Sequence, residues 1–245
     1  AASAHSIAIG GTSVSLQPTG AFLSVDSTST FGIAIGHVAK VVGSVSGVAL
    51  GNNANIATGS NDSQALGTNA NVAAGSPNAI AFGSYANAGA NANYLGQTKV
   101  GGGIAIGERA FAGGAISGST IAIGAGARAT SPNGTNGDQL AIGRVAIASG
   151  QDSLAIGAES TASGQDSIAI GGNNSAGTMG TIATQQGATA IGVYANSRGV
   201  RATAVGTEST ATGDNSNAFG YATQAQGNNS VAMGYGSIAT ATAND

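Results

Sequence analysis

Ser153-Leu154-Ala155-Ile156-Gly157-Ala158-Glu159-Ser160-Thr161-Ala162-Ser163-Gly164-Gln165-Asp166 runs straight into Ser167-Ile168-Ala169-Ile170-Gly171, a near copy of its own beginning. Small residues (Ser153, Ala155, Gly157) alternate with large apolar ones (Leu154, Ile156), the period-two signature of a strand. Neither set is polar, so both faces of this strand need cover. In Glu159–Ser163 one alternating set is small and the other mixed or polar, which reads as a strand with one wet face. Gly157 opens one turn and Gly164-Gln165-Asp166 makes the other, because Gly, Asn and Asp tolerate positive φ and cap their own backbone. Two short strands and two tight corners make one coil of a solenoid.

The Ile-Ala-Ile-Gly tetrapeptide or a near copy recurs fourteen times, ending at Gly10, Gly36, Gly51, Gly67, Gly83, Gly107, Gly124, Gly143, Gly157, Gly171, Gly192, Gly206, Gly220 and Gly234. The later members are the most regular: Ser216-Asn217-Ala218-Phe219-Gly220 and Ser230-Val231-Ala232-Met233-Gly234 repeat the first strand and its corner. Four steps are long and carry insertions near 11–32, 84–103, 125–139 and 172–187. Such insertions emerge at an edge of a solenoid, either as binding loops or as tolerated surface drift.

Composition agrees with a thin body. Only 7% of residues are charged and 4% aromatic, while 42 are Gly, so bulky side chains for a thick core are lacking. Glycine also raises the entropy cost of ordering the backbone, which dense backbone hydrogen bonding must offset. A formal charge of -3 with seven scattered basic residues gives no tract for nucleic acid or anionic lipid. Cysteine is absent, which excludes disulfides and thiolate metal sites.

No catalytic constellation assembles. His5 and His37 are the only histidines, His5 near the terminus and His37 at a turn position. Asp152 and Asp166 sit one coil apart and should stack along a corner, where capping of adjacent turns is the plainer role than holding a cation. Glu159 and Glu208 follow turns on the solvent side, without the buried pairing of an acid–base couple. Gly101-Gly102-Gly103 and Gly124-Ala125-Gly126 open no helix and lack the Lys-Ser/Thr of a phosphate loop. No catalytic residue, metal or cofactor is therefore expected.

Periodicity leaves open which alternating set fills the interior. Either the small residues do, leaving Leu154, Ile156 and their equivalents outside, or the reverse. In both cases the first strand keeps an apolar outer face, an association liability in a monomer that symmetric packing, two-fold or three-fold, would bury. Leu154, Ala155, Ile156, Ile168, Ala169, Ile170, Ala218, Phe219, Val231, Ala232 and Met233 are the expected core or subunit-packing residues. Gly143, Gly157, Gly171, Gly192, Gly206, Gly220 and Gly234 are the expected turn glycines.

The Ser-x-Ala-x-Gly unit, its second small-residue strand and its Gly-Asn or Gly-Asp corner resemble the head repeats of YadA-like trimeric autotransporter adhesins. The resemblance covers nearly all of residues 1–245, the insertions being departures. It implies an all-β, left-handed parallel β-roll of about 14-residue coils, packed as a parallel homotrimer. It implies a head at the distal end of a fibre, anchored in a Gram-negative outer membrane through domains outside this segment. Partners would be host matrix proteins such as collagen, fibronectin or laminin, host cell receptors, or inert surfaces, met by a distributed surface. Tyr85, Tyr94, Lys99, Tyr194, Arg198 and Arg201 are candidate ligand contacts, since aromatics and arginines often anchor interfaces. A spacer whose adhesive sites lie in other domains is the rival reading.

Overall fold

In the computed structural model, which describes residues 6–9, 24–25, 29–89, 102–113, 119–130, 137–173 and 180–240, the repeated tetrapeptides form short strands, and no helix occurs among the described residues. The chain divides into two compact units, Ala1–Gly126 with Asn133–Asn136 and Ala127–Pro132 with Gly137–Asp245.

Each unit is a β-solenoid made of two parallel sheets. In the first, Ile33–Ile35, Val48–Leu50, Gln64–Leu66, Ile80–Phe82, Gly103–Ile106 and Thr120–Ile123 stack as one sheet. Lys40–Val41, Asn55–Ile56, Asn71–Val72, Asn87–Ala88 and Phe111–Gly113 stack as the other. In the second unit Leu154–Ile156 pairs with Ile168–Ile170, and Thr161–Ala162 with Ile182–Ala183. The same alternation continues through Val231–Met233 and Ile238–Ala239. Like pairs with like: Ala155 lies beside Ala169, Leu154 beside Ile168, Ile156 beside Ile170. A one-residue slip would turn every alanine outward, so burial holds the register.

The interior question is settled by burial. Ala141, Ala155, Ala169, Ala190, Ala204 and Ala218 are all 0% exposed, and Ala148, Ala162 and Ala211 meet them from the other sheet. The small set fills the inside, and Leu154, Ile156, Ile168 and Ile170 stand half-exposed on the outer face. Methyl groups bury little apolar area each, so the ladders of backbone hydrogen bonds carry much of the ordering. Leu154 N donates to Ser167 O at 2.9 Å and Gly157 N to Ile142 O at 2.7 Å, a pattern repeated coil after coil.

Coil length and core volume change together. Where the chain steps by 15 or 16 residues, Val41, Ile56 and Val72 replace alanine in the interior and are fully buried. The larger perimeter needs larger filling. Gly47 leaves room for them, since a Cβ there would come within 2.8 Å of Val41 Cγ1. The added bend at Gly43, Gly59 and Gly75 is sealed by buried serines. Ser60 N donates to Ser44 Oγ and Ser76 N to Ser60 Oγ, both at 3.2 Å, while Ser60 Oγ donates to Ala73 O at 2.6 Å.

The corner after the first strand depends on glycine. Gly143, Gly157, Gly171, Gly192, Gly206, Gly220 and Gly234 have φ between 104° and 144°, a region that L side chains avoid. A Cβ on Gly206 would lie 2.3 Å from the carbonyl oxygen of Gly220 one coil on. Here conformation and stacking distance demand the same residue.

Candidate functional site

Two surfaces repeat along the coils. The first is the apolar column of the first strand. In the second unit Ile142, Ile156, Ile170, Ile191, Val205, Phe219 and Met233 hold equivalent positions on it, as the register of the sheet requires. Most are half-buried by their neighbours above and below; Met233, in the last described coil, is 70% exposed. Among the described residues of one chain nothing covers their outer side.

The second surface is the corner that follows each turn glycine. Its second residue adopts a left-handed conformation, as at Tyr85 (φ 58°), Arg109 (55°), Glu159 (59°), Tyr194 (59°) and Glu208 (58°). The strained backbone points these side chains away from the sheets, so the position accepts almost any residue and stacks it on its equivalent one coil away. Arg109 lies over the Tyr85 ring at 6.0 Å and 3.5 Å from Glu108. Arg144 Nη2 donates to Glu159 Oε1 at 2.5 Å, and Asn173 Nδ2 donates to the other oxygen of that carboxylate. Tyr221 and Tyr235 stack with centroids 5.4 Å apart and planes at 15°. The Tyr221 phenol is pushed above its ordinary pKa first by the charge of Glu208, then by desolvation, by Tyr235 and by its hydrogen bond to Glu208.

The candidate contacts fall into separate places. Tyr85 is exposed and engaged by Arg109, whereas Tyr94 and Lys99 lie outside the described residues. Tyr194 occupies the first corner of its coil, and Arg198 and Arg201 lie beyond the strand Asn196–Ser197, at the opposite corner. Arg198 Nε donates to Asn196 Oδ1 at 2.9 Å. His37 is an exposed turn residue, and His5 is outside the described residues. Asp152 and Asp166 both take the left-handed place of the second corner, where Asp152 Oδ1 accepts from Asp138 N at 2.9 Å. That is turn capping. Among the described residues no three metal-ligating side chains gather.

In sequence Glu159 and Glu208 were weighed only as an acid–base couple and set aside, and Arg144, Tyr221 and Tyr235 were not singled out. Aligning the coils on their turn glycines would have placed them in two adjacent columns, one and two residues past the glycine.

Parallel coils with an alanine interior, a glycine corner and outward columns define a repeated β-solenoid scaffold. The model of the YadA head domain repeat (2 copies) matches residues 141–178, 183–209, 197–216 and 211–237. Residues 141–178 and 183–237 thus carry repeats of the YadA head type. No curated protein matches the chain.

Proposed function

We propose that the chain is the adhesive head of a bacterial surface fibre and acts by binding, without catalysis. Its partners are host extracellular matrix proteins such as collagen, fibronectin or laminin, host cell receptors, or inert surfaces. It works as a parallel homotrimer on the cell surface, held to the outer membrane by domains outside this segment. The observation that carries this reading is the uncovered column of Leu154, Ile156, Ile168, Ile170 and their equivalents. A continuous apolar strip calls for symmetric burial, and the matched head repeat belongs to adhesins. Three copies then raise the effective concentration of weak, repeated contacts at a multivalent ligand.

The test has two parts. Sedimentation of the purified chain is expected to give a trimer. That trimer is then applied to collagen, fibronectin, laminin and bare polymer, and retention on at least one surface is expected. A trimer retained by none of them, with intact host cells included, would overturn the adhesive reading.

A further inference from the structure

We infer that Arg198 and Arg201 form a docking site for the sulfate groups of a linear sulfated glycan. This deepens the adhesive reading and rests on it. Arg109 pairs with Glu108 and Arg144 with Glu159. Arg198 and Arg201 make no ion pair among the described residues, and both are exposed on one corner. Described coils flank that corner on each side, with Gln185, Gln186 and Gly187 before it and Thr212, Asp214 and Asn215 after it. The corner also stands clear of the apolar column. Ile191, Val205 and Phe219 end the first strand beside the opposite corner, whereas its near end carries Thr189, Thr203 and Asn217. A second copy seated on the apolar column does not need this corner.

The backbone holds both side chains in place. Along the second sheet the interior position is alanine on either side, Ala183 and Ala211, and Ser197 replaces it here. Ser197 Oγ donates to Ala202 O at 2.8 Å, and Ala202 N donates to Gly199 O at 3.2 Å. Residues 198–201 are thereby stapled into a closed turn. Arg198 Nε donates to Asn196 Oδ1 at 2.9 Å, which orients the guanidinium and leaves its two Nη groups for a ligand. Arg201 takes the left-handed position (φ 54°). Its Cγ would lie 3.3 Å from a Cβ on Gly187, so its stem runs along the glycine of the preceding coil. Cations held in this way lose less side-chain entropy on binding than free ones.

Guanidinium forks pair with sulfate or phosphate oxygens through parallel hydrogen bonds. The surroundings select the kind of polyanion. Gln185, Gln186, Thr212 and Asn215 are exposed and offer amide and hydroxyl groups suited to the neutral hydroxyls between sulfates. Asp214 is the carboxylate beside the arginines, and its Oδ1 accepts from Val200 N at 2.9 Å. Asp166 lies two coils back in the column of Arg201. A strand with phosphate at every residue would meet both carboxylates. It would also find no ring on which to stack a base, since Tyr194 belongs to the opposite corner. A glycan whose sulfates are set apart by neutral groups fits two cations among polar neighbours.

The test uses the whole chain and a fluorescent heparin dodecasaccharide, titrated by anisotropy at about 0.15 M ionic strength. The same oligosaccharide, desulfated and N-acetylated but with its carboxylates intact, is the control, and an oligothymidylate of matched charge is the rival polyanion. Heparin is expected to bind at least about tenfold more tightly than either. Arg198→Gln and Arg201→Gln are each expected to weaken it about threefold, and the double variant about tenfold. Arg109→Gln, an equal change of charge elsewhere, is expected to alter affinity less than about twofold. Both site residues are exposed, so the variants should melt as the parent does. Absence of heparin binding, equal binding of the desulfated chain or of oligothymidylate, equal loss in Arg109→Gln, or unchanged affinity in the double variant would each overturn the inference. Attachment to matrix proteins and host cells is measured in parallel. A chain that attaches but ignores heparin defeats only the corner site, and one that binds heparin but attaches to nothing defeats only the adhesive reading.

Discussion

Replacing Gly206 by alanine should damage the second unit far more than replacing Gly187, although both glycines have positive φ. Gly187 sits at φ 65°, the left-handed well that Asp166 and Arg201 occupy on neighbouring coils, and its Cβ would approach only the flexible Arg201 side chain, at 3.3 Å. Alanine there costs about 1–2 kcal/mol of backbone strain, offset by about 0.4–1 kcal/mol from a less flexible unfolded chain. The net is about 1 kcal/mol. Gly206, at φ 126°, lies where alanine costs about 1–3 kcal/mol from conformation alone. Its Cβ would also meet backbone, 2.3 Å from Gly220 O and 2.7 Å from Gly220 C, which no rotamer change can relieve. Separating those coils weakens the bonds from Gly220 N to Val205 O and from Ala222 N to Thr207 O, both 2.9 Å. At about 1 kcal/mol each, the total for Gly206→Ala reaches about 3–5 kcal/mol. Urea denaturation of both variants, at one protein concentration, measures the difference. If the two alanine variants lie within about 0.5 kcal/mol of each other, the claim that stacking distance demands glycine is wrong.

Other expectations follow from individual side chains. Ser167 Oγ is buried without a hydrogen-bond partner, whereas Ser209 Oγ donates to Gly206 O at 2.8 Å. Ser167→Ala should therefore be neutral or stabilising in thermal melting, and Ser209→Ala should cost about 1 kcal/mol. Ile156→Asp places a charge in the middle of the outer apolar column and is expected to shift sedimentation from trimer towards monomer while leaving the far-UV dichroism of a β-protein. Tyr221 holds its proton more tightly folded than unfolded, so its contribution to stability is complete below the ordinary phenol range and is lost as pH rises through the raised folded value. Glu208→Gln should bring the phenolate absorbance titration down towards that ordinary range; an unmoved titration would contradict the assigned cause.

The architecture was legible because the chain states it repeatedly. Alternation in Leu154-Ala155-Ile156 and the recurrence of Gly157 one coil later determine strand, corner and register without help from any other residue. The direction of the side chains was not legible, since alanine and isoleucine are both apolar and either could fill an interior. Volume decides it: a 14-residue coil closes too tightly for two facing isoleucines, and Val41, Ile56 and Val72 enter only where coils lengthen. The candidate contacts fared less evenly. Tyr85 and Tyr194 were found as aromatics and do lie on the outward corner. Glu208 was dismissed for lacking a buried partner, and Tyr221 and Tyr235 were passed over, because their meaning lies in column neighbours 13 and 14 residues away in sequence.

Because each coil in the second unit touches only its own likeness on either side, a duplicated block such as 217–230 would find ready-made neighbours at both joins. Genes encoding such modules can therefore grow or shrink by whole turns through unequal recombination, without inventing a new interior. Reach becomes a quantity that selection can adjust in equal increments, while the outward residues of each new turn remain free to diverge.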